Sequence, residues 1–461
     1  MEKSQIENII NYALTKSIEY AELYFEKTDN FVMGISKDKL EQSRSNQTNG
    51  IGIRLYKDEI IAYQSTSLIN EDNLKKTIDK MSEIYQIQER KSNFKLKTLK
   101  KAKKKSNITY LENYSKEKIK EFLKEQSIFA KSLDSRIKNV DISFKYHLKE
   151  ITIANSEGNY TNEERIISEI MISLIMEEKG VTVSSGKRVY LMGGLEIFED
   201  FNAKKVFNQI LKTGRNKLKA VNLKGGLMPV ILEKGAGAIF FHEAVGHSLE
   251  AEFISRKQST FEGLIGQKVA SELVTLIDDG HRKNLFGSTY FDDEGSRTQK
   301  NILIENGILK SYLVDKINGL KLNIPSTSSS RRESYYYNPT SRMNNTYLAK
   351  GKDKVKDMIK SIDYGIYVYS INGGQVNPIS GDFTFGVASA RLIEKGKLTK
   401  YIKEITLIGK CNEMLHKVEM VGNDFSFKDG GICGASSGGV PVESGQPTIK
   451  LSEILVGGKE D

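Results

Sequence analysis

The chain has 461 residues, 38% hydrophobic and 28% charged, which suits a folded protein long enough for two or more domains. Its formal charge of +10 would favour a nucleic-acid partner only if focused, yet residues 1–225 carry 40 Lys and Arg against 31 Asp and Glu, and residues 226–461 carry 29 against 28. Two cysteines exclude a disulfide framework, and neither an apolar leader after Met1 nor a run of about 18 uncharged apolar residues is present, so a cytoplasmic protein is expected.

Ile6, Ile9, Ile10, Ala13 and Leu14 recur at helical spacing and predict a helix over 5–17. Strand runs follow at 21–25, 31–35, 50–56 and 60–65, then a second amphipathic helix at 72–87, which together read as a small α+β unit. Residues 91–105 hold eight lysines and no acid. That is the composition of a solvated linker, and the N-terminal region would divide there. A nucleic-acid patch is the rival reading, and its binding would weaken steeply with salt. A helix is predicted at 115–133. Strands at 140–147, 149–154, 159–178 and 187–197 predict an antiparallel meander, with a turn at Asn155-Ser156-Glu157-Gly158-Asn159. His147 falls within an alternating strand and reads as a surface or half-buried residue rather than a ligand. A long basic helix at 202–221 closes this half.

Gly225-Gly226 marks the expected boundary between an N-terminal α+β domain, 1–225, and a C-terminal domain, 226–461. The second half opens with a short strand at 228–232. Hairpin signals follow at 302–313, through Asn306-Gly307, and at 388–402, with a helix at 352–361 between them. The fold class expected is α+β, with a strand-rich mixed C-terminal domain built around one buried helix.

That helix is the stretch Phe240-Phe241-His242-Glu243-Ala244-Val245-Gly246-His247-Ser248-Leu249-Glu250-Ala251-Glu252, which holds two of the five histidines. A divalent metal would satisfy both rings and balance the acids. The spacing is unusual. Histidines five apart lie roughly 140° apart around an ideal helix, so one metal reaches both only if the helix widens locally into a π-bulge. Gly246 would make that distortion cheap. Two hydrogen-bonded core histidines remain the alternative. A third ligand must come from Cys411, Cys433, His147, His281 or His416. Of these, Cys433 stands between glycines in Gly430-Gly431-Ile432-Cys433-Gly434, which would present a thiolate into a cavity. Cys411 reads as an ordinary half-buried thiol. The polar loop 325–337, ending in Tyr335-Tyr336-Tyr337, fits either a functional loop or a plain surface loop.

His242-Glu243-Ala244-Val245-Gly246-His247 resembles the motif of the TldD/PmbA metallopeptidases, specifically their metal-bearing TldD branch. The likeness continues through Asp292-Asp293-Glu294-Gly295, Ile304-Glu305-Asn306-Gly307-Ile308-Leu309, Arg331-Arg332-Glu333-Ser334-Tyr335, Gly373-Gly374-Gln375-Val376, Val421-Gly422-Asn423-Asp424 and Ser444-Gly445-Gln446-Pro447-Thr448. The resemblance implies a zinc site made by His242, His247 and Cys433, with Glu243 as catalytic base. It tips Arg331, Arg332, Gly373 and Gly374 toward substrate binding. It also implies hydrolysis of small or unfolded peptides, by a homodimer or by pairing with a metal-free sister chain, with no nucleic-acid or membrane partner. Ala435-Ser436-Ser437-Gly438-Gly439 is smaller and less charged than the family pattern there, which leaves substrate preference open. The rival from another class is a non-enzymatic binding or regulatory protein merely stabilised by zinc.

Overall fold

The computed structural model describes residues 1–103, 107–377, 379–428 and 430–459, so Lys104 and Lys105 of the lysine run lie outside it. In the first half, five long strands lie side by side in the order Ile60–Thr66, Lys39–Lys57, Tyr20–Ser36, Ile137–Asn155, Tyr160–Glu178, all antiparallel. Val181–Leu191 pairs with Tyr160–Glu178, and so does the two-residue strand Lys100–Lys101 from the lysine run.

The strands are longer than their apolar runs. The strands expected at 21–25 and 31–35 are one, because Thr28, Asp29 and Asn30 keep pairing with Lys149, Leu148 and His147 across the polar interval. The partner strand is likewise unbroken through 148. Backbone groups must pair wherever they are shielded from water, whatever the side chains say. The second helix is shorter than expected and ends at Ser82.

One face of this sheet is apolar and carries four helices. Lys3–Thr15 and Glu71–Ser82 cover one end through Ile6, Ile10, Leu74 and Ile78. Lys116–Ser132 and Ala203–Leu218 cover the other through Leu123 and Phe207, in one core with Phe144 of the sheet. The opposite face is polar and docks the second half of the chain.

The contact between the halves is a layer of buried charge. Arg54 Nη2 stands 2.6 Å from Glu22 Oε2 and 2.6 Å from Glu294 Oε1. Arg332 reaches Glu22 from the other side, and Arg165 pairs with Asp293 at 2.7 Å. Glu22, Arg54, Glu294 and Arg332 are each at most 3% exposed. Charges this dry persist only because each faces an opposite one. Burial pushes the Glu294 carboxyl up to about 7 against the pull of Arg54. Beside this layer Tyr335 lies flat on the sheet. A Cβ on Gly50 would fall 2.1 Å from its ring, and its carbonyl accepts a hydrogen bond from the Tyr63 hydroxyl at 2.6 Å.

The second half contains a closed barrel of five strands: Gly226–Leu232, Tyr364–Val376, Asp382–Glu394, Ile405–Lys410 and Ile449–Gly457. Pairing of Tyr364–Val376 with both Gly226–Leu232 and Asp382–Glu394 completes the ring. A second sheet runs through Lys300–Glu305, Leu276–Asp279, Asn345–Leu348 and Gly438–Gln446, with Gly431–Ala435 hairpinned to the last of these. The hairpins expected near 302–313 and 388–402 are present, and the helix expected at 352–361 is Val355–Lys360. Phe240 and Phe241 enter the core. Phe240 meets Phe383 edge-on at 5.0 Å between centroids and 88° between planes. Among the described residues no helix is long and apolar enough to cross a membrane.

Candidate metal centre

The helix expected over the histidine motif is broken into unlike turns. Ala238–Phe241 is a single α turn, His242–Gly246 is a π turn, and His247–Leu249 is a 3-10 turn. The π turn is defined by the His247 amide donating to the carbonyl of His242, five residues back. One extra residue in the turn brings positions five apart onto the same face. The rings of His242 and His247 consequently stand 5.2 Å apart at 85°. The widening proposed for this spacing is present.

Gly246 has a different task from the one expected. Its backbone is ordinary helix, at φ −55 and ψ −52. What it lacks is needed room: a Cβ there would lie 1.9 Å from Met343 Sδ, and Met343 is wholly buried. Gly246→Ala should therefore cost about 1–3 kcal/mol of stability by overpacking and should also weaken metal retention, because the π turn is what must yield. Thermal unfolding and bound-metal content would check this; an unaltered metal content would show that the turn tolerates the added methyl group.

Cys433 arrives from the hairpin Gly431–Ala435 and Gly438–Gln446, paired with Val440 and 7% exposed. Its Sγ is 3.2 Å from His242 Nε2 and 3.2 Å from His247 Nε2. The three donor atoms lie within 4.8 Å of one another and form the one His/Cys/Asp/Glu cluster of this kind among the described residues. Burial alone would push the Cys433 thiol up; the two neighbouring imidazoles outweigh it and hold the thiol down to about 4. Burial likewise opposes a charge on His247, but Glu250 and Cys433 raise its pKa well above the usual value. A thiolate and two imidazole nitrogens, converging this closely, are a donor set that suits a zinc-like cation. Three protein donors leave a tetrahedral ion one further position.

Glu250 is wholly buried and accepts from His247 Nδ1 at 3.1 Å. It thereby fixes which ring nitrogen faces the centre. Glu243 stands outside the donor cluster. Its Oε2 is 3.7 Å from His247 Nε2, and its side chain keeps 28% of its exposure. Nδ1 of His242 is buried without a hydrogen-bond partner.

The other candidate residues fall elsewhere. Cys411 is buried in the barrel core, where burial pushes its thiol up to about 12. His147 is half-buried and contacts Asn30 Oδ1 through Nδ1. His281 approaches Arg297, and His416 is exposed at the end of the helix Cys411–His416. Arg331 and Arg332 are 4% and 2% exposed. Arg331 donates to the carbonyls of Met343 and Pro441, and Arg332 is spent on Glu22 and on Asp293. The loop 325–337 is accordingly no free flap: Ser330–Arg331 pairs with Thr340–Ser341, and Glu333 receives the amide of Gly439 at 2.6 Å. Gly373 and Gly374 lie in Tyr364–Val376, a strand that packs on the π turn. Gly373 adopts φ +119 with open space around it, whereas a Cβ on Gly374 would run into Phe385.

Two residues of the centre escaped the sequence reading. Glu250 was within reach, three residues after His247 in the same stretch. Arg342 was not. It is wholly buried, and its partners in the centre lie 91 to 96 residues away.

Residues 225–458 match the family model described as the PmbA/TldA metallopeptidase C-terminal domain, residues 21–84 its domain 1 and residues 109–218 its central domain. A metalloprotease TldD homolog of Buchnera aphidicola subsp. Acyrthosiphon pisum is 36% identical over 458 residues, 96% of this chain and 94% of its own. A zinc metalloprotease TldD homolog of Saccharolobus solfataricus is 30% identical over 309 residues, 65% of this chain and 68% of its own. The crystal structure of TldE from Thermococcus kodakarensis has the same fold, with a TM-score of 0.75 at 20% identity, covering 98% of this chain and 100% of that one.

Proposed function

The chain belongs to the TldD/PmbA family and is a metallopeptidase, and from that premise we propose that it is a zinc peptidase cutting small or unfolded peptides, with Glu243 as general base. The observation that carries this reading is the convergence of His242 Nε2, His247 Nε2 and Cys433 Sγ beside a carboxylate that is not itself a donor. When bound, zinc would polarise the peptide carbonyl and lower the pKa of the attacking water toward neutrality. Glu243 takes the proton of that water on its carboxylate and returns it to the leaving amine. Its partial exposure keeps it open to solvent and substrate, while the buried Glu250 only orients the His247 ring. A peptide approaching along Tyr364–Val376 would meet the open space over Gly373. A Cβ on Gly374 would run into Phe385, and Arg331 and Arg332 are buried against partners within the protein, so none of the three is offered to substrate in this reading.

The zinc-stabilised binding protein, the rival reading, leaves Glu243 without a task. A cytoplasmic setting agrees with two free cysteines, one of them held as a thiolate. Dimer formation, with a second copy or a metal-free sister chain, remains part of the proposal through the family resemblance.

Elemental analysis of protein purified without chelator or histidine tag tests the donor set. Wild type should carry near one zinc per chain and Cys433→Ser markedly less, because a hydroxyl at that position does not deprotonate for the metal as the low-pKa thiol does. Absence of bound metal in wild type even after zinc is offered would sink the reading for the isolated chain.

A further inference from the structure

We propose that Arg342 is the positioning residue that sets the spacing between the two arms of the metal centre; this deepens the peptidase reading and rests on it. One arm is the π turn with His242 and His247, and the other is the hairpin with Cys433. The arms are almost two hundred residues apart in sequence and belong to different elements. Direct ties between them are the 3.2 Å contacts of Cys433 Sγ with the two Nε2 atoms and the hydrogen bond of Ser436 Oγ to Glu252 at 2.8 Å.

Arg342 has the reach to join both arms. Its guanidinium donates from Nη1 to Ser437 Oγ at 3.0 Å and to the carbonyl of Gly438 at 2.9 Å, and from Nη2 to the carbonyl of Cys433 itself. These three acceptors span the hairpin turn that follows the cysteine. On its other edge, Nε faces Glu250 Oε1 at 3.7 Å, and the second oxygen of that carboxylate holds His247 Nδ1 at 3.1 Å. One planar fork therefore addresses both arms. Both Nε and Oε1 are buried without a hydrogen-bond partner, and at 3.7 Å they face each other as an ion pair.

The backbone that carries the guanidinium is itself anchored. The Arg342 amide donates to the carbonyl of Ser329 at 2.8 Å, and Ser341 Oγ accepts the amide of Glu252 at 3.0 Å. The residue before Arg342 is thus tied to the helical turn Ala251–Ser255, directly after Glu250. Arginine suits the position because its donors are fixed in one plane. A lysine would bring the same charge as a single point on a flexible stem and could not serve three acceptors and a carboxylate together. Arg342 touches neither substrate nor the donor atoms, so its action is through Cys433 and His247.

Cobalt titration of the apo-protein tests this, since a cobalt–thiolate centre reports its ligands by absorption. Wild type should bind cobalt with a sulfur-to-metal charge-transfer band. Arg342→Lys should bind it about 10–100-fold more weakly, with that band diminished or shifted, while far-UV circular dichroism of the apo-protein stays as in wild type. Should Arg342→Lys not fold, Ser437→Ala removes one acceptor while keeping the charge and should still weaken cobalt binding severalfold. Wild-type affinity and an unchanged band in a folded Arg342→Lys, or in Ser437→Ala if that is the variant measured, would overturn the positioning role while leaving the peptidase reading standing. Failure of wild type to bind cobalt would remove both.

Discussion

Glu243→Gln should retain its metal and lose turnover by about 10²–10⁴-fold, the contribution usual for a positioned general base. The substitution preserves shape and hydrogen-bonding reach but removes the ability to accept a proton. Metal retention follows from the geometry, because Glu243 Oε2 lies outside the donor cluster and 3.7 Å from His247 Nε2. Cleavage of an unstructured peptide followed by chromatography, with zinc content measured on the same preparation, reads both halves of the result. Full turnover in the variant would take Glu243 out of the mechanism. Loss of zinc together with turnover would show instead that its carboxylate helps to hold the metal.

The largest effect on stability is expected in the layer of buried charge between the halves. Arg332→Ala should cost about 3–5 kcal/mol, as breaking a buried ion pair from one side does. Arg332 is 2% exposed and donates to Glu22 and to the carbonyl of Asp293 at 2.8 Å, and its guanidinium lies 4.1 Å over the ring of Tyr24. Its loss leaves Glu22, wholly buried, with Arg54 as its remaining cation. Glu294→Gln makes the control. Burial already raises that carboxyl to about 7, so at neutral pH a glutamine mimics a form the protein substantially populates. Denaturant midpoints of the two variants should differ widely. Near-equal midpoints would mean that the layer is hydrated enough in solution to tolerate an unpaired carboxylate.

The histidine motif was legible because spacing alone posed a geometric problem, and the π turn over His242–Gly246 is the answer the spacing required. Helix positions at the N-terminus were legible for the same reason: Ile6, Ile9, Ile10, Ala13 and Leu14 all turn inward. Strand lengths were not. Thr28 to Asn30 look like a break in a sequence window, yet they sit in a central strand whose polar face meets another part of the chain. The role of Gly246 was also hidden, because it depends on Met343, almost a hundred residues later. The burial of Arg331 and Arg332 was not legible: the family resemblance pointed them toward substrate, and nothing local reveals that Glu22 and the carbonyls of Met343, Pro441 and Asp293 will enclose them. Arg342 carries no local signal at all, since every group it serves at the centre is brought to it by the fold.

The charged seam between the halves also bears on how the protein is made. The N-terminal half leaves the ribosome first and must wait for residues 226–461. The face it keeps for them carries Glu22, Arg54, Glu163 and Arg165, with Tyr24 and Ile153 as a small apolar spot. Such a face stays wet and soluble until its partner is synthesised, whereas an apolar face of equal size would be a site for aggregation during that interval. Desolvating those charges at docking is costly, and the newly synthesised first half gains a surface that is safe to expose.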